Sequence, residues 1–224
     1  EDALNDAYSQ HGEDNVVVII RSNKRANIFN NEIRNRILFR EGTIQSGDLL
    51  MVVKNNYFWL EEESKAGFIA NGDIVEILRV NALKSFYGFD FAEVSLRMID
   101  YPDEKDIDVT LLLDTLKSDG PALTYDQNNS LFQSVMEDYA DLKTRSAKVS
   151  ATKSNPFFNA LQVKFANAMT CHKTQGGQWD VVFVEQGYLT NEMINTEYGR
   201  WLYTALTRAS KKVYLINFKE ESFG

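Results

Sequence analysis

The chain has 224 residues, 44% of them hydrophobic and 12% aromatic, which is enough to bury a core without disulfide or metal staples. Its 24 basic side chains against 32 acidic ones give −8, which excludes a wholesale basic coat for nucleic acid or anionic membrane but leaves room for a local basic groove. A single cysteine, Cys171, and two histidines, His11 and His172, are too few for a disulfide framework or a zinc centre, so no metal site and a reducing, cytoplasmic setting are expected.

No run approaches the length of a membrane span, and the acidic N-terminus is unlike a signal peptide, so no membrane partner is expected. The chain begins without Met and reads as a piece of something longer.

Residues 15–20 (NVVVII) form the continuous β-branched run of a strand buried on both faces. Residues 24–39 then turn helical, with Ile28, Ile33, Ile37 and Leu38 at helical spacing. Between Arg21 and Arg40 stand six basic residues and one acid; the segment is either a solvated helix face or, since Arg21-Ser22-Asn23 follows a strand directly, a phosphate contact.

From Gly47 the texture changes to short strands between turns: DLLMVV, YFWL, GFIA, IVEILRV and FAEVSLRMI, with Asn71-Gly72-Asp73 as a hairpin signal. They predict a small β-barrel inserted at 41–108 into an α/β unit that begins at 14–40. Residues 109–117 and 126–142 look helical, the second with Leu131, Val135, Met136 and Tyr139 on one face. The polar stretch 144–156, ending in Asn155-Pro156, reads as a return loop, so 109–156 is a helical extension.

Over 157–222 the α/β texture resumes. LQVKFANAM and WDVVFV read as strands, EYGRWLYTALTRA as a helix and KKVYLINF as a closing strand. The loop TCHKTQGGQ concentrates donors (Thr170, His172, Lys173, Gln175) beside Gly176 and Gly177, where open parallel sheets bind ligands. A plain polar connection accounts for it equally well. On the helix, Tyr198, Trp201, Leu202, Ala205 and Leu206 make an apolar stripe with Arg208 along its edge. A guanidinium there suits either a phosphate or an internal carboxylate.

Other chemistries are disfavoured. Gly42/Gly47 and Gly67/Gly72 have the spacing of a phosphate loop, but Asp48 and Asp73 follow where Lys is needed. Asp103-Glu104 lies in a charged loop, and Cys171 beside His172 points away from it on an extended backbone.

In this order, RSN at 21–23, TCHKTQGGQWDVVFVEQG and LYTALTRASKKVYLI resemble the C-terminal half of a superfamily 1 DNA helicase, closest to the RecD-like group. GDLLMVVKNNYFWL and NGDIVEIL are similar to the SH3-like barrel that this group inserts into its second motor domain. The resemblance implies a RecA-like parallel sheet flanked by helices, of the P-loop NTPase type without the P-loop.

It further implies that Arg208 is the arginine finger on the γ-phosphate, and that Gly176, Gly177 and Gln178 lie near the nucleotide, Gln178 standing where the family usually has Glu. Arg21, Asn23, Thr170, His172 and Lys173 would line a single-stranded DNA groove. ATP with Mg would be bound mainly by a first motor domain of the same parent chain. The P-loop and acidic box belong to that domain, so this piece alone is expected to be inactive. A binding module that kept the fold without the motor, and an RNA-directed or nuclease-associated relative, are the rival readings.

Overall fold

In the computed structural model, residues 1–61 and 63–218 are described, and they form two compact units. In chain order the elements are α1 (Asp2–His11), β1 (Val16–Ile20), α2 (Asn23–Glu32), β2 (Leu49–Val52), β3 (Ile74–Phe86), β4 (Phe89–Met98) and β5 (Ile107–Leu112). There follow α3 (Asp114–Lys117), α4 (Tyr125–Glu137), α5 (Arg145–Lys153), β6 (Leu161–Phe165), β7 (Ala168–Thr170), β8 (Trp179–Glu185), α6 (Thr196–Leu206) and β9 (Ala209–Ile216).

The α/β unit, residues 1–40 with 165–224, is built on a four-stranded parallel sheet of order β7-β1-β8-β9. All five residues of β1 are buried, as the unbroken β-branched run requires of a strand covered on both faces. On one face Val16, Val18 and Ile20 pack with Leu4, Ala7 and Tyr8 of α1 and Ala26 of α2. Helix α6 packs against β8 and β9, with Ala205 fully buried.

Helix α2 starts at a Ser22 cap, whose hydroxyl accepts from the Arg25 amide, and its last turn widens into a π-helical turn over Ile33–Ile37. The basic segment is mostly consumed inside the unit. Arg25 pairs with Glu185, Arg36 with Glu32 and Arg40 with Glu13, while the buried Arg34 lies over the Phe165 ring at 4.3 Å.

The second unit, residues 41–164, closes β2-β3-β4-β5-β6 into a barrel. Neighbours from β2 to β5 are antiparallel, β5 and β6 parallel, and the Val53 amide closes the ring by donating to the Gln162 carbonyl at 2.9 Å. Tyr87 and Gly88, both at positive φ, make the two-residue turn of the long β3–β4 hairpin. Leu131 and Val135 of α4 cover Phe91 and Leu112 beside the barrel, and a capping box of Thr124 and Gln127 starts that helix.

The structure thus gives the expected parallel α/β sheet flanked by helices, with a closed barrel inserted. Several local readings differ. Residues 107–112 are a strand and only 114–117 are helical: Ile107, Val109 and Thr110 are β-branched, and the segment pairs along β4. YFWL is not a strand, because the Asn56 side chain takes the Phe58 amide and leaves a single bridge, Asn56 to Ile69.

The supposed return loop contains α5, begun by a Thr144 cap. LQVKFANAM is two strands: Leu161 and Gln162 pair with the barrel, whereas Ala168–Thr170 pair with β1 after a break at Ala166-Asn167. The acidic N-terminus, given no element from sequence, is helical. Among the described residues no helix is long and apolar enough to cross a membrane, and no group of three metal-ligating side chains gathers.

Candidate nucleic-acid and nucleotide sites

Parallel strands present free loops beyond their carboxyl ends, and the α/β unit has its cleft there. The cleft holds about 580 Å³. Ile20 and Arg21 at the end of β1, Thr170 at the end of β7, His172 on the short 3-10 turn Cys171–Thr174, and Tyr198 and Trp201 of α6 all line it. The turn is tied by Thr174 Oγ1 donating to the Cys171 carbonyl at 2.7 Å, and α6 is capped by Asn195, which accepts from the Tyr198 amide.

The rings of Tyr198 and Trp201 stack with centroids 5.9 Å apart, one helical turn apart in sequence. Gln186 fixes the first by donating to its hydroxyl at 2.8 Å. The exposed Arg21 guanidinium lies 5.6 Å from each ring centroid. Glu197 and Arg200 also line the cleft. Burial pushes the Cys171 thiol up, which keeps it protonated and unsuited to nucleophilic work.

A second cluster forms around Arg208. Contrary to the helix-edge placement, Arg208 lies in the turn after α6. Its Nε donates to the Thr204 carbonyl at 3.1 Å, one terminal nitrogen to the Gly177 carbonyl at 3.3 Å and the other to Thr207 Oγ1 at 3.3 Å. No carboxylate pairs with it among the described residues, so its charge is held by neutral acceptors alone.

Gly177 is shaped by the chain itself: a Cβ there would come within 2.5 Å of the Trp179 indole. Gly176 takes φ +90°, with open space where its side chain would be, and Gln178 is exposed. Of the residues singled out from sequence, Arg21, Thr170 and His172 come together in the cleft, and Gly177 meets Arg208. Asn23 and Lys173 lie outside the cleft lining. Burial lowers the pKa of Lys173, and Asn23 opens α2.

Sequence reasoning placed Tyr198 and Trp201 in an apolar stripe. Instead they wall the cleft, and their signal is an aromatic pair three residues apart at the start of the helix after β8. The Glu185–Arg25 pair gave no signal, since its members are 160 positions apart. Glu185 is fully buried and also accepts from Asn217 at 3.1 Å.

The α/β unit thus combines a parallel sheet that has its cleft at the carboxyl ends of the strands with an arginine that no described carboxylate pairs, beside a glycine loop. Residues 165–216 match the UvrD-like helicase C-terminal domain, and this segment is similar to that family. The match covers β7, the 170–178 loop, β8, α6 with Arg208, and β9. The resemblance to the C-terminal part of a helicase, read from the sequence, is thereby shown for this segment.

Among solved structures, Pif1 helicase from Candida albicans is 11% identical, with a TM-score of 0.48, covering 92% of this chain and 46% of that one. Pif1 helicase from Bacteroides in complex with ADP-AlF3 and ssDNA is 12% identical at the same score, covering 93% and 42%. The chain therefore spans less than half the length of either. No curated protein matches the sequence.

Proposed function

We infer that this chain supplies the second RecA-like motor domain, with its inserted barrel, to a RecD-like, ATP-dependent DNA helicase. One observation carries the reading. Within the segment similar to helicase C-terminal domains, Arg208 keeps an uncompensated charge against the 176–178 loop. A guanidinium so held can turn its donors to a transferring phosphoryl group, which stabilises charge that develops only in the transition state.

In this reading Gly176, Gly177 and Gln178 border the nucleotide, and Arg21, Thr170 and His172 line the single-stranded DNA path. ATP with its magnesium is held mainly by the parent's first motor domain. Movement of the two domains against each other then advances the strand.

The test is DNA-stimulated ATP hydrolysis by the intact parent, wild type beside Arg208→Ala. Turnover is expected to fall roughly a thousandfold or more with nucleotide binding retained. Unchanged turnover would remove Arg208 from catalysis, and no turnover in wild type would leave a binding module that has kept the fold without the motor.

A further inference from the structure

Arginine offers two separable surfaces: its flat face stacks on aromatic rings, and its five N–H donors point outward in the plane. A ring that holds the face therefore leaves the edge free. Arg21 lies beside two such rings. Its guanidinium lies within 6 Å of both stacked rings, the range in which a cation is attracted to a π face, and among the described residues it makes no hydrogen bond or ion pair.

This sets it apart from its neighbours in the basic segment. Arg25, Arg36 and Arg40 spend their donors on carboxylates of the unit, and Arg34 is buried. Arg21 stands instead at the mouth of a parallel sheet, in a cleft with Thr170 and His172, with every donor unspent.

We propose that Tyr198 and Trp201 are positioning residues that seat Arg21 for a backbone phosphate of the single strand. The inference rests on the single-stranded DNA reading of the cleft and assigns the aromatic pair a role within it. The seat costs the arginine none of its donors and removes rotamer freedom from a long side chain, so less ordering remains to be paid when phosphate arrives. The seat itself is firm. Asn195 caps the helix that carries both rings, Gln186 fixes the Tyr198 hydroxyl, and the Trp201 carbonyl accepts from the Cys171 thiol at 3.6 Å.

The experiment measures binding of the 224-residue chain to oligo(dT) across a salt titration. The proteins are wild type, Arg21→Ala, Trp201→Leu, Trp201→Phe and the Arg21→Ala/Trp201→Leu double variant, each checked for an unchanged thermal midpoint. Arg21→Ala is expected to weaken binding and to lower the slope of log affinity against log salt by about 0.7, the value for one single-strand phosphate. Trp201→Leu is expected to weaken binding about two- to fivefold in the wild-type background and not at all when Arg21 is already gone. Trp201→Phe, which keeps a ring, restores it.

The same losses are expected on an abasic strand, because the seat serves the phosphate. If Trp201→Leu weakens binding with or without Arg21 but spares the abasic strand, the rings stack on bases and the seat is wrong. An unchanged salt slope in Arg21→Ala, while wild type binds, also overturns the seat and leaves the cleft reading standing. Absence of any salt-dependent binding by wild type brings down both.

Discussion

The α/β unit and the barrel unit differ first in charge. The 24 basic side chains divide evenly, 12 to each, but of the 32 acidic ones 12 lie in the α/β unit and 20 in the barrel unit. The whole net charge of −8 therefore belongs to the barrel, and the unit with the cleft is balanced. A chain-wide sum hides this. What looks like an argument against contact with a polyanion is a statement about the other unit.

The second difference is in how each spends its ions. In the α/β unit the pair Arg25–Glu185 joins α2 to a carboxylate that is 0% exposed. The barrel's Arg97–Glu76 pair lies on the outside, 51% and 24% exposed. The Arg25–Glu185 pair is an internal fastener, whereas Arg97–Glu76, like the exposed Arg36–Glu32 pair of the first unit, is surface trim.

The largest effect is expected in the barrel core. Leu111, fully buried on β5 between Ala92 and Leu161, should cost about 2–5 kcal/mol as Leu111→Ala, the range for a leucine cavity. Amide exchange is expected to quicken across β2 to β6 while β1 and β8 keep their protection. Uniform quickening in both units would break the comparison and make them one cooperative body.

Next come the two kinds of ion pair. Arg25→Ala takes from the buried Glu185 its guanidinium partner and leaves Asn217 as a hydrogen-bond donor to it. Breaking a fully buried pair costs 3–5 kcal/mol, and because Arg25 is itself 43% exposed we expect about 2–3 kcal/mol here. Arg97→Ala should cost under about 1 kcal/mol. Denaturant midpoints of the two variants decide it; equal losses would erase the distinction between fastener and trim.

Gly177→Ala sharpens the picture inside the cleft-bearing unit. The new methyl would meet the Trp179 indole, which must move, at a cost of about 1–3 kcal/mol. The Gly177 carbonyl is also an acceptor for Arg208, so the indole fluorescence and the ATPase activity of the parent should change together. A silent substitution would show that the loop tolerates a side chain and that the glycine serves some other purpose.

The strands whose residues argue locally were legible: NVVVII and WDVVFV carry their burial in their own composition, and KKVYLINF, an edge strand with no buried residue, shows alternating β-formers instead. So was the polar 170–178 connection between two strands, because its donors and glycines stand together in the sequence. Illegible were the features decided by distant partners. Ile107, Val109 and Thr110 are β-branched, but Leu111, Leu112 and Leu113 behind them read as helix, and pairing along β4 decides for a strand. The break at Ala166-Asn167 exists because the Asn167 carbonyl takes the Val18 amide, turning the chain from one sheet to the other. Tyr198 and Trp201 had the spacing of a core stripe, and it is the placement of β1 and β7 beside them that makes them the wall of a cleft.

The smallest effect expected concerns α1, the element with the weakest local signature. Its last residue, His11, reaches Asp180 at 3.0 Å, and Lys211 at 2.7 Å and Ser210 at 3.0 Å reach the same carboxylate. These donors, Lys211 first, pull the Asp180 carboxyl down to about 2, below the roughly 3.9 of an unfolded aspartate. A carboxyl depressed in the folded state contributes stability that is complete above the unfolded value and is lost as pH falls through the folded one. The anchorage of α1 should therefore weaken between about pH 4 and pH 2, seen as loss of amide protection in α1 and at the start of β8. Asp180→Asn should remove that acid-dependent step and leave the rest of the acid titration, with the barrel's 20 carboxylates, as it was. If the step survives the substitution, the acid sensitivity of the α/β unit lies elsewhere, and Glu13, bound by both Arg40 and Asn167, is the next carboxylate to replace.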